Sequence, residues 1–224
     1  EKIIIFHYLL KDIDMIRQDC KRKYNPWWEQ QPGENASVEI ECSALNDFVD
    51  AMKHNSNLES LTIIHSYIFG SVSDMKGTVS SAIADILRVN STLTILNLKN
   101  TGVRVKGVVH IAKSLKVNAS LTSLDLSSNS IQQEGTMALA DALKVNSSLT
   151  SLNLSCNSIR KKGAMAMADA LKVNSSLTAL DISCNLIQRE GAIAIADSLT
   201  ANSTLTSLNL SLNSIQQEGA MAMA

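Results

Sequence analysis

Histidine, cysteine and a short run of cations are the residues of this chain equipped for chemistry beyond packing, and their spacing restricts that chemistry. His7, His54, His65 and His110 form no HxxxH or HExxH pair. No cysteine or carboxylate stands at ligand spacing from them, so no metal site is expected. Neither a GxGxxG nor a GxxxxGKS/T segment occurs, which argues against a nucleotide cofactor. No nucleophile falls where spacing would bring it to a base, so the chain reads as a non-enzyme with no cofactor and no evident small-molecule substrate. Cys20, Cys42, Cys156 and Cys184 lack CxxC spacing and are few for a secreted disulfide framework, which favours a reducing, cytoplasmic compartment. The basic run is Arg160, Lys161 and Lys162, with Arg104, Lys106 and Arg189 at related positions.

Bulk properties narrow the partners. With 20 basic against 21 acidic residues, the chain carries no long-range field toward nucleic acid or an anionic membrane. No apolar stretch is long enough to span a bilayer. The run from Ile3 to Leu10 sits among charges and lacks a cleavage site, so no signal peptide is expected. Hydrophobic residues make up 45% of the 224, ample for a core, while aromatics make up only 4%. The chain starts at Glu1 and stops in mid-repeat, so we expect a piece of a longer protein, with more repeats or a cap after Ala224.

What must position these residues is a repeat. Leu121, Leu149, Leu177 and Leu205 are each 28 residues apart, as are Asn129, Asn157, Asn185 and Asn213. One unit runs LTSLDLSSNSIQQEGTMALADALKVNSS, from Leu121 to Ser148. Leu124 and Leu126 share one face of an extended segment, while Ser123, Asp125 and Ser127 face the other way. After Gly135 the period changes: Thr136, Leu139, Ala140 and Leu143 fall on one helical face, as do Ala164, Met167, Ala168 and Leu171 a unit later. The small alanines let the helix lie close to the sheet. The glycines at 135, 163, 191 and 219 are assigned to the strand-to-helix turn. Asn146, Asn174 and Asn202 are expected to end the helices in the left-handed conformation. Asn129 and its copies are expected to bond turn backbone that stacking would bury. Thr101 replaces that asparagine one unit earlier, so its turn should rely on a different hydrogen bond.

The LxxLxLxxNxL phrase with its following glycine and helix resembles the ribonuclease-inhibitor type of leucine-rich repeat, also found in NOD-like immune receptors and Ran GTPase-activating proteins. The resemblance implies an α/β leucine-rich-repeat solenoid, a curved horseshoe with a parallel sheet on its concave face and helices on its convex face. It also implies three kinds of role: a protein-interaction scaffold, the sensing or autoinhibitory segment of a NOD-like receptor, or an enzyme regulator of the GTPase-activating or nuclease-inhibitor kind.

Toward the N-terminus the pattern loosens. Leu58 opens a unit 35 residues before Leu93, its surplus falling in and after Phe69 to Gly77, where an extended loop is expected. Val38 and Ile40, then Leu45, Phe48, Val49 and Met52, suggest a short first repeat. Ile5, Leu9, Ile13 and Ile16 mark an amphipathic helix followed by the turn-like segment with Trp27 and Trp28, together expected to cap the first coil. The chain therefore divides into a cap at 1–36 and leucine-rich repeats at 37–224, about seven units, irregular to about 92 and regular from 93.

The partner is expected to be a protein, held on the concave columns because their side chains point away from the core. These are Asn97, Asp125, Asn153, Asp181 and Asn209, then Lys99, Ser127, Ser155, Ser183 and Ser211, with Ser123 and Ser151 beside them. Binding hot spots usually need Trp, Tyr or Arg, and these columns offer no aromatic. The basic run is placed on strand-to-helix loops along one rim; Gln132, Gln133 and Glu134 fill the same slot elsewhere, so a solvated edge competes with an acidic-partner contact. Cys156 and Cys184 should lie side by side on neighbouring coils, open to a disulfide, a thiol pair or a redox switch. Ser128 and Leu212 share their column, so unpaired structural thiols are the expectation. The N-x-S/T sequons at Asn35, Asn90, Asn118, Asn146, Asn153, Asn174, Asn202 and Asn209 are read as by-products of the repeat.

Overall fold

A computed structural model of the chain describes residues 52–54, 56, 59–62 and 75–223, of which 75–79 are described by backbone alone. The expected cap at 1–36, the strand at Val38 and Ile40, and residues 69–74 of the expected loop lie outside the described residues. Strands and helices alternate as β1 (Ser60–Thr62), α1 (Met75–Val89), β2 (Ile95–Asn97), α2 (Arg104–Leu115), β3 (Ser123–Asp125) and α3 (Gln132–Leu143). The order continues with β4 (Ser151–Asn153), α4 (Arg160–Leu171), β5 (Ala179–Asp181), α5 (Gln188–Leu199), β6 (Ser207–Asn209) and α6 (Gln216–Ala222). All six strands of the described residues are parallel neighbours in one sheet, in chain order. Short connections returning through a helix allow no other pairing.

Register follows the repeat. Leu124 pairs with Leu152 and Leu152 with Leu180, 28 residues at a step, whereas Leu61 pairs with Leu96 across the longer unit. Part of that surplus lies in α1, which has 15 residues against 12 in α2 and begins at Met75, inside the expected loop. The core is a set of stacked columns: Leu149, Leu152, Leu154 and Ile159 of one coil are buried between their equivalents on either side. Each such side chain contributes on the order of 2 kcal/mol by leaving water. The helical face is wider than the period suggested. Ala142 and Ala170 are as fully buried as Ala140 and Ala168, so these helices join the leucine core and pack on a neighbouring helix at once.

Three expectations change. The helices start three residues before the glycine, at Gln132, Arg160 and Gln188, so Gly135, Gly163 and Gly191 lie within the first helical turn and not in a loop. The basic run accordingly occupies the first turn of α4 instead of a strand-to-helix loop. Finally, Asn146, Asn174 and Asn202 do not adopt positive φ. They work through their amides: Asn146 Nδ2 donates to the Leu115 and Asn118 carbonyls of the preceding coil, and its Oδ1 accepts the Ser148 and Leu149 N–H groups.

Candidate protein-binding face

The free face of the sheet is built by two ladders of side-chain amides that leave no coil independent of the next. Asn157 Nδ2 donates to the carbonyls of Leu126, Leu154 and Ser155, and its Oδ1 accepts the N–H groups of Asn129 and Ile131 in the coil before. Those N–H groups converge because the turn alternates hands: Ser128, Ser130 and Gln132 have φ of 58°, 53° and 60°. Alternating right- and left-handed residues form a nest of N–H groups, and here the next coil's amide oxygen fills it. The Gln132 N–H bonds the Asn157 carbonyl, so the start of α3 is satisfied by the following coil and not by a local side chain. Where Thr101 replaces asparagine, its hydroxyl donates to the Leu98 carbonyl at 2.7 Å, the substitute bond that the sequence called for.

On this frame the first polar column has two jobs. Asp125 Oδ1 accepts the Ser127 N–H, and Asn97, Asn153, Asp181 and Asn209 make the same two-residue turn with Lys99, Ser155, Ser183 and Ser211. Their second polar atoms point along the column: Asn209 Nδ2 donates to Asp181 Oδ2 at 3.0 Å, and Asn153 Nδ2 to Asp125 Oδ2 at 3.4 Å. Ser123, Asp125, Ser151, Asn153 and Asp181 are half-buried, Lys99 and Asn209 exposed. Ser127 differs from its column mates: it is buried, and its Oγ has no partner among the described residues. It offers a partner almost no surface.

Two features of this face escape a reading by polarity. Ile95 shares a column with Ser123 and Ser151 yet is 44% exposed, the signal being its place in the 28-residue register. Leu186, at φ 57°, is 53% exposed on the rim, in the slot that Ser130, Ser158 and Ser214 fill elsewhere. A branched side chain in the left-handed region costs roughly 1 to 2 kcal/mol, and this one recovers little of that by burial.

The rim cations are interleaved with acids. Lys161 Nζ lies 3.9 Å from Glu190 Oε1 and the Arg189 guanidinium 3.8 Å from the same atom. Glu190 is held below the usual carboxylate range by its own backbone N–H, then by Lys161 and Arg189. Arg160, Lys161 and Lys162 lie at the positive end of the α4 dipole, where cations are disfavoured. Arg104 and Lys106 take the equivalent first turn of α2. Cys156 and Cys184 are free and exposed. Among the described residues no cluster of His, Cys, Asp or Glu is placed to hold a metal, and no helix is long and apolar enough to cross a membrane. The sequon asparagines Asn118, Asn146 and Asn174 are buried with their amide nitrogens committed to carbonyls of the preceding coil.

The leucine-rich repeat family model matches residues 89–112, 117–140, 145–168, 173–196 and 201–224, together more than half of the chain. No curated protein matches the sequence. Among solved structures, leiomodin-1 actin-binding site 2 superposes with a TM-score of 0.54 at 24% identity, covering 68% of this chain and 88% of that one. The tropomodulin C-terminal domain of Caenorhabditis elegans superposes with 0.51 at 11% identity, over 80% of this chain and 88% of that one. At such identities the likeness is one of fold. Repeat matches, parallel register and amide ladders agree: the chain belongs to the leucine-rich repeat family.

Proposed function

We propose that this chain is a non-catalytic, cytoplasmic scaffold that binds a protein through the concave columns and the adjoining strand-to-helix rim. The observation that carries this reading is Leu186, an exposed apolar side chain held in a strained turn where neighbouring coils use serine. The left-handed turn at this slot recurs from coil to coil and belongs to the stack, so what sets position 186 apart is an exposed leucine side chain where the neighbouring coils present a hydroxyl. Ser123, Asp125, Ser151, Asn153, Ser155, Asp181 and Ser183 supply a polar surround on a rigid sheet. The cytoplasmic placement is supported by the exposed free thiols and by sequon amides that the ladder already uses.

The fold itself supplies a clean test. Because asparagine makes the same turn at 97, 153 and 209, Asp125→Asn with Asp181→Asn removes two charges and keeps every backbone bond of the column. Affinity capture with the wild-type chain and this variant, quantified partner by partner, should show several-fold loss of the specific partners. Unchanged capture of every partner would move the site off the concave face. Monomeric actin is a direct first probe, since leiomodin-1 places an actin-binding site on this fold; fold alone does not assign the partner.

Leu186→Ser separates binding from stability. Because Ser130, Ser158 and Ser214 hold the same left-handed slot, the change should leave stability within about 0.5 kcal/mol of wild type. The same change should weaken partner binding by about tenfold or more if Leu186 is a hot spot. A variant that loses stability, or binds as before, contradicts the role given to this side chain.

A further inference from the structure

We infer that Cys156 and Cys184 form a vicinal dithiol, a redox-modifiable site at the edge of the concave face that closes to a coil-to-coil disulfide on exchange with a small disulfide such as oxidised glutathione. The two residues are 28 positions apart and occupy the same slot of successive coils. Hydrogen bonds bracket both: the Cys156 N–H donates to the Ser183 carbonyl at 3.0 Å, and the Cys184 N–H to the Ser211 carbonyl at 2.9 Å. Their φ angles, 57° and 56°, are the same, so the backbone takes the same turn at both positions. Adjacent strands lie about 4.8 Å apart, inside the roughly 4.4 to 6.8 Å window of Cα separations that a disulfide accepts. Both thiols are exposed, so an oxidant reaches them without opening the core.

The neighbouring Cys184 thiol is the largest influence pushing the Cys156 thiol above its ordinary value; burial and the Asp181 carboxylate add to it, and Ser128 opposes it. In the flanking coils the slot holds Ser128 and Leu212, so the stack does not need sulfur there, and the pair is confined to the two coils where it is complete. The inference rests on the stacking geometry and stands whether or not the concave face binds the partner.

The exchange balances in two steps. One protein thiolate attacks a sulfur of glutathione disulfide, expelling one glutathione thiolate and leaving a mixed disulfide. The neighbouring thiol loses its proton and attacks the protein sulfur of that mixed disulfide, expelling the second glutathione. Two protein thiols are oxidised by two electrons, one glutathione disulfide is reduced to two glutathiones, and the two protons pass to the expelled thiolates.

The test uses the full chain under native conditions in graded mixtures of reduced and oxidised glutathione, quenched with N-ethylmaleimide, digested with trypsin and weighed. Cleavage after Lys144, Arg160, Lys172 and Arg189 isolates Cys156 in peptide 145–160 and Cys184 in peptide 173–189. The expected product is those two peptides joined, released by dithiothreitol, with a formation constant at least tenfold higher in native buffer than in denaturant. The oxidised chain should melt higher, by roughly 5 °C. Both cysteines alkylated in mixtures that oxidise dithiothreitol, each carrying its own glutathione, or links to Cys20, Cys42 or another chain would overturn the inference. So would a native formation constant no greater than the denatured one.

Discussion

Replacing Asn157 by alanine should destabilise the chain by roughly 3 to 5 kcal/mol, a larger loss than most single core truncations, although the side chain is small and polar. The size follows from counting which groups are left without partners. The carbonyls that Asn157 serves keep other donors: Leu126 still accepts from Asn129 Nδ2, Leu154 from Asn185 Nδ2, and Ser155 from the Ser128 N–H. The N–H groups of Asn129 and Ile131 lose their common acceptor inside the stack. Two orphaned buried donors at about 1 to 3 kcal/mol each, plus a small void, give the estimate. Asn157→Thr should cost less, since Thr101 shows that a hydroxyl can serve the local carbonyl. Asn157→Asp keeps the acceptor but turns a carboxylate toward three carbonyl oxygens, which raises its folded-state pKa. A raised carboxyl pKa adds no charge penalty below the unfolded value, and the penalty grows as pH rises through that value. The aspartate variant should therefore be nearer wild type at pH 4 than at pH 7. Urea melts of the three variants at both pH values measure the order; an alanine variant within 1 kcal/mol of wild type would mean that water replaces the amide in the stack.

The same ladder explains what could be read in the sequence and what could not. Leucine columns and the strand register were legible because each obligation repeats at a fixed distance: Leu121, Leu124 and Leu126 state both their face and their neighbour. The Asn129 series was legible for the same reason, down to the exception at Thr101. Helix starts were not. Ordinary capping signals are local, and here the Gln132 N–H is met by the Asn157 carbonyl, so the sequence around Ile131 carries no cap to find. Asn146 misled for a related reason. Its propensity points to a left-handed backbone, while its actual partners are carbonyls of Leu115 and Asn118, about one coil upstream. Apart from Asn100 and Gly102, the left-handed positions themselves hold Ser, Gln, Arg, Cys and Leu, residues with no such signature. On the candidate face, polarity identified the Asp125 and Asn153 columns but hid Leu186 and Ile95, whose meaning lies in being exposed where the repeat offers alternatives.

Gly191→Val should cost about 3 kcal/mol, whereas Gly102→Ser should cost under about 1 kcal/mol, an inversion of what glycine usually signals in a turn. Gly102 is the left-handed glycine, with φ of 72° and open space where a Cβ would stand. Ser130, Ser158 and Ser214 adopt the same region at the same slot, so the fold tolerates a side chain there. Gly191 is helical, and alanine in its place would gain about 1 kcal/mol in helix propensity if there were room. There is none: a Cβ would stand 2.5 Å from Ile187 Cγ2 and 2.9 Å from Ala164 Cβ on α4. Ile187 is buried, and Ala164 has no rotamer through which to withdraw, so α4 and α5 must separate. That displacement opens the helical layer on one side only, which strains the sheet register the amide ladder enforces. Gly191→Ala should accordingly lose 1 to 2 kcal/mol despite its propensity gain, by the roughly 1 to 3 kcal/mol cost of overpacking. Adding Ala164→Gly should return part of it, because the substitution moves the missing methyl across the contact. Thermal melts of the two singles and the double form a closed cycle; independent, additive losses would show that the glycine serves the α5 backbone and not the spacing between coils.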